Sequence, residues 1–141
     1  MMDNETYSQL LDQMIERNRK ENRYLEFKSN YQDARHLGEY ISALSNGACL
    51  DRQDYGYLFF GVDDETLTVK GTTFDVTKLK AKGNQALSLY LKLYVDPKID
   101  FRFEEFLYHG AERIVVMIVP AAQGQPTCFM GAPYIRIDSH V

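Results

Sequence analysis

The chain has 141 residues, of which 45% are apolar, 13% aromatic and 26% charged, the balance of one folded domain with a sizeable core rather than a disordered tail. A net charge of −4 argues against nonspecific nucleic-acid affinity of the chain as a whole, because that affinity comes from Lys and Arg neutralising phosphates, and leaves the task to a local basic face. No apolar run approaches the roughly 20 residues that span a bilayer and the start MMDNETY has no signal-peptide layout, so the expectation is a cytoplasmic protein without a membrane partner.

The pattern begins with a helix expected over about Asn4 to Arg19, with Tyr7, Leu10, Leu11, Met14 and Ile15 at helical spacing and charges placed as the helix dipole favours. A short strand follows around Tyr24 to Lys28, in which Leu25 and Phe27 point one way and Glu26 and Lys28 the other. A second helix is expected from Asp33 or Arg35 to Asn46, carrying Leu37, Tyr40, Ile41 and Leu44, with Gly47 as its stop. The stretch CLDRQDYG reads as a polar loop and Tyr57 to Val62 as a buried strand. Asp63 to Thr66 then turn the chain into a returning strand with Leu67, Val69 and Gly71.

A third helix is expected from near Val76 to Tyr94, ended by Pro97. The alternation of Ile99, Phe101 and Phe103, the His109-Gly110 turn, the run Ile114 to Val119 and a last strand around Tyr134 to Ile137 complete the pattern. Three helices and about six strands, the late ones in hairpin order, predict a single α+β domain with a mixed or antiparallel sheet.

Cys49 and Cys128 are far apart without a CxxC pattern and read as free thiols, and His36, His109 and His140 form no metal-binding pattern. No GxxxxGK loop is present, so this segment carries no ATPase motif.

The cluster that suggests chemistry is Glu21, Glu26 and Lys28, followed by Asp63 and Asp64 where a buried strand emerges into a turn. Carboxylates are the hard oxygen ligands that hold Mg²⁺ or Mn²⁺, and a lysine beside them stabilises charge at a phosphate. By spacing alone, the same residues also read as an exposed edge pair and a polar hairpin turn. Lys78, Lys80 and Lys82 form a second, basic set that reads either as phosphate contacts or as a solvated helix face. The ten tyrosines and eight phenylalanines offer stacking surfaces, though most stand at core spacing, and none is assigned to bases.

The order of these pieces resembles the Schlafen AlbA-type domain. The resemblance rests on Glu21-x4-Glu26-Phe27-Lys28, on Ile41-Ser-Ala-Leu-Ser-Asn46 and on Gly56-Tyr-Leu-Phe-Phe-Gly61-Val-Asp-Asp64. It continues through Gly71, Pro97, Val119-Pro120, Pro126 and Gly131-x2-Tyr134-Ile-Arg136. It implies a nucleic-acid-binding module, DNA or RNA, from the N-terminal part of a larger transcriptional regulator or RecG-related, helicase-like protein whose C-terminal domains are its partners. Lys28, Lys78, Lys80, Lys82 and Arg136 are then the candidate nucleic-acid contacts.

In RNA-cleaving members, two glutamates and an aspartate in this arrangement bind metal. That implies Glu21, Glu26 and Asp63 as ligands, Asp64 as the alternative third, and Lys28 as helper of a nuclease using Mg²⁺ or Mn²⁺. A third reading is an interaction or dimerisation domain, for which an exposed apolar edge strand at Ile114 to Val119 would favour homo-oligomers.

Overall fold

The computed structural model describes residues 3–18, 22–31, 33–79 and 86–136. Helix α1 spans Asn4–Arg17; the Asp3 side chain caps it by accepting the Thr6 N–H at 2.9 Å, and the face that it buries carries Tyr7, Leu11 and Met14. Strand β1 (Leu25–Lys28), helix α2 (Ala34–Leu50) and strand β2 (Tyr55–Phe60) form a β-α-β unit, so β1 and β2 pair in parallel, Leu25 opposite Tyr57 and Lys28 opposite Phe60.

Helix α3 covers Leu87–Tyr94 and runs directly into β3 (Val95–Asp96). Strands β4 (Arg102–Tyr108) and β5 (Glu112–Pro120) make a hairpin through His109 and Gly110, both at positive φ, and β5 lies antiparallel to β2. The main sheet therefore has the order β1-β2-β5-β4. Short strands β6 (Cys128–Phe129) and β7 (Ala132–Pro133) join β3 in a second, three-stranded sheet. The fold is α+β as expected, with seven strands among the described residues rather than about six.

Both faces of the main sheet are covered. Phe27, Phe59, Ile114, Val116 and Ile118 pack with Tyr7, Leu11 and Met14 of α1. Leu58, Phe60, Val115, Met117 and Val119 face Ile41 and Leu44 of α2 and Leu87 and Leu91 of α3. Two-sided burial explains the unbroken apolar runs in β2 and β5. It also makes β5 a central strand rather than an edge, so Ile114 to Val119 offers no free edge for self-association.

Among the boundaries that differ from the sequence reading, four bear on the layout. Helix α2 runs through Gly47 to Leu50, absorbing the start of the expected loop. The glycine is there for contact: a Cβ on Gly47 would lie 1.8 Å from the Arg23 carbonyl oxygen. The third helix begins at Leu87; upstream, Asp75 accepts the Thr77 N–H and hydroxyl, a local side-chain turn that competes with helical pairing. Lys78 is on that turn, not on a helix. The strand expected after the Asp63 turn is a single bridge between Val62 and Val69. The last pairing falls at Ala132–Pro133, with Tyr134 to Arg136 in no strand and Ile137 outside the described residues.

The serine- and asparagine-bearing stretch of α2 pins the segment after β5. Ser42 Oγ donates to the Thr127 carbonyl at 2.7 Å and accepts the Tyr134 N–H at 2.9 Å. Asn46 donates to the carbonyls of Thr127 and Tyr134 at 2.9 Å each and accepts the Thr127 N–H at 2.8 Å. Among the described residues no helix is long and apolar enough to cross a membrane.

Candidate functional site

Parallel pairing brings the C-terminal ends of β1 and β2 together. The N–H groups of Gly61 and Val62 both donate to the Lys28 carbonyl, at 2.8 and 3.3 Å, so Asp63 and Asp64 emerge beside Lys28. Gly61 makes the exit: its φ of +111° is a region side-chain-bearing residues rarely adopt. This end of a parallel pair, beside the N-terminal half of the following helix, is where open sheets present functional groups.

The alternation expected for β1 is present, with Leu25 and Phe27 toward α1. The opposite side, however, lies under α2 instead of facing water. Glu26 is 3% exposed. One carboxylate oxygen accepts the Phe27 N–H at 3.1 Å and the other takes Arg136 Nε at 2.9 Å, while Arg136 Nη1 donates to the Asn22 carbonyl at 3.0 Å. Burial, then the charge of the neighbouring Glu26 carboxylate, push the Tyr40 phenol far above its usual range. Every buried side-chain polar atom among the described residues has a partner.

Lys28 stands at the rim. Its ammonium lies 5.4 Å from the centre of the Tyr40 ring, a cation–π contact, and it makes no ion pair among the described residues. The cleft that it shares with Asn30, Tyr31, His36 and Tyr40 is shallow, about 10 Å³, which is room for one water at most. A larger ligand here would lie across the surface.

Asp63 is committed to its own turn. Its Oδ1 accepts the N–H groups of Glu65 and Thr66 at 2.9 Å, and those bonds, Thr66's first, hold its carboxyl below the usual range; Lys70 lies 3.9 Å from Oδ2. Asp64 is exposed, and its charge reaches the Tyr40 hydroxyl. Lys78 sits 3.8 Å from Asp75. Arg136, expected to contact phosphate, is 9% exposed and turned inward to Glu26. Glu21, Lys80 and Lys82 lie outside the described residues.

Among the described residues no group of three His, Cys, Asp or Glu side chains is placed to hold a metal ion. With Glu26 held by Arg136 and Asp63 by its turn, the carboxylates present do not form an open oxygen cage for Mg²⁺ or Mn²⁺. Tyr40 is the site residue that sequence reasoning missed. Its place beside Leu37, Ile41 and Leu44 reads as core, and only the sheet beneath it shows that its ring backs the Lys28 ammonium.

This architecture, a β-α-β unit extended by an antiparallel hairpin and a small second sheet, has a counterpart among solved structures. The chain is similar to the N-terminal domain of a RecG-related protein from Nitrosomonas europaea, determined by solution NMR: TM-score 0.54, 22% identity, covering 97% of this chain and 90% of that one. The chain belongs to the Schlafen, AlbA_2 family, whose model matches residues 21–141. No curated protein matches it.

Proposed function

We propose that this chain is a nucleic-acid-binding module, part of a larger regulator or helicase-related protein. Its family membership over residues 21–141 supports the reading, and Lys28 is the observation that carries it. Among the described residues Arg23, Arg35, Arg102, Arg113 and Arg136 each sit against a carboxylate, whereas Lys28, at the joined strand ends, does not. A cation backed by an aromatic ring, with no ion pair among the described residues, is a phosphate contact in waiting. The test is fluorescence anisotropy with single-stranded and duplex DNA and RNA at two salt concentrations. Binding that weakens steeply with salt is expected, with Lys28→Ala lowering the salt slope by about 0.7–0.9. No binding to any of the four at low salt overturns the reading.

A second reading, a divalent-metal nuclease using Glu21, Glu26 and Asp63, draws support from the parallel pairing of β1 and β2, which sets Lys28 beside Asp63. It requires Glu26 to exchange Arg136 for a cation. Cleavage of the same RNAs in Mn²⁺ reports on it.

A further inference from the structure

On the opposite face of the sheet, α1 leaves part of the floor uncovered. In cross-strand register, Tyr57 of β2 stands opposite Ile118 of β5, which stands opposite Arg102 of β4. This row and Tyr55 floor a groove of about 440 Å³, with Gln9 and Gln13 of α1 on its wall. That volume falls in the roughly 300–1,000 Å³ range of small-ligand sites. Resting on the nucleic-acid reading above, we propose that this groove binds single-stranded nucleic acid, stacking one or two unpaired bases on Tyr55 and Tyr57 and holding the adjoining phosphate at Arg102.

The lining supplies the three contacts that unpaired nucleotides use. The Tyr55 and Tyr57 rings are neighbours, 6.4 Å between centres at 45°, and Tyr55 is 40% exposed, so ring face is open to a base. Burial first and Tyr55 next raise the Tyr57 phenol, while the charges of Arg102 and Arg17 act in the opposite direction. Arg102 is 44% exposed and touches Glu104 through a single 3.4 Å contact, a surface pairing weak enough for a phosphate to replace. Asp54 also acts on Tyr57, and Gln9 is bonded to Glu5, so Arg102 is not the sole charge near the groove. Gln13 makes no side-chain hydrogen bond among the described residues and stands where a base edge would enter. Duplex bases remain in their stack and present only phosphates, so this lining favours single strands.

Anisotropy of labelled 12-nucleotide oligo-U, oligo-dT and a matched duplex, using the whole chain, tests the proposal. Tyr55→Ala is expected to weaken single-strand binding about 5- to 150-fold and duplex binding little, with Tyr55→Phe restoring it. Arg102→Gln is expected to lower the single-strand salt slope by about 0.7. Circular dichroism melting confirms that each variant is folded, and comparison of the U and dT arms separates RNA from DNA. If the wild-type chain binds and Lys28→Ala weakens it while Tyr55→Ala and Arg102→Gln do not, the groove is overturned and the module reading stands. Equal loss of duplex and single-strand binding in Tyr55→Ala also overturns it, and a wild-type chain that binds nothing overturns both.

Discussion

Glu26 and Arg136, 110 residues apart in sequence, meet at 2.9 Å as a buried ion pair that ties the first strand to the end of the described chain. Their side chains are 4% and 10% exposed, so neither charge has water to fall back on. Removing one partner of such a pair costs about 3–5 kcal/mol, because the other charge is stranded, whereas replacing both with apolar side chains is often neutral. Glu26→Gln is therefore expected to lower the urea midpoint sharply, and Glu26→Met with Arg136→Met to recover most of the loss. A loss of activity in Glu26→Gln alone thus reports on folding as well as on any ligand role. An unchanged midpoint in that variant would mean that the pair is not formed in solution.

Asn46 serves the same end of the chain through three hydrogen bonds to Thr127 and Tyr134. Asn46→Ala strands those backbone groups, part-buried, at a cost of about 2–3 kcal/mol. Denaturant melts measure this, and faster proteolysis in the 121–127 segment is expected alongside it.

Gly47 gives a prediction whose sign runs against helix propensity. An interior glycine costs a helix roughly 0.5–1 kcal/mol relative to alanine, so Gly47→Ala would stabilise an open helix. Here the added Cβ meets the Arg23 carbonyl oxygen at 1.8 Å and its carbon at 2.6 Å, and backbone must move. Overpacking of this kind costs about 1–3 kcal/mol. The variant should melt below the wild type; a higher melting temperature would show that the two segments are not in contact.

At the far end of the sheet, Tyr108 donates to Asp12, which also pairs with His109 at 2.8 Å, fastening the β4-β5 hairpin to α1. Burial first, then the bond to Asp12, raise the Tyr108 phenol to about 12. A folded-state value above the unfolded one, roughly 10, means that the contribution is whole below pH 10 and is lost as pH rises through about 12. The stability difference between wild type and Tyr108→Phe should accordingly shrink from pH 10 to 12. A difference that stays constant across that window would mean that the Tyr108 phenol is not raised in the folded chain.

Much of the fold follows from local pattern. The α1 stripe, the alternation in β1, the apolar runs of β2 and β5 and the hairpin at His109-Gly110 are periodicities of 3.6 and 2 that burial imposes on neighbouring residues, and they can be read without knowing what lies opposite. Element ends were less legible where a local side-chain turn at Asp75 displaced a helix, or where Gly47 answered to the Arg23 backbone rather than to helix termination.

The site divides along the same line. Sequence marked Glu26, Lys28, Asp63 and Asp64, and the parallel pairing of β1 and β2 does bring their strand ends together. What only the tertiary structure decided is the state of each group: α2 closes over the polar side of β1, so Glu26 is desolvated and must be matched by Arg136, while Lys28, one turn of the pleat further on, reaches the rim with no ion pair among the described residues. Alternation says which side a residue faces. Whether that side holds water or a helix, and therefore whether a carboxylate there is open to a ligand or bound to a guanidinium, depends on residues over a hundred positions away.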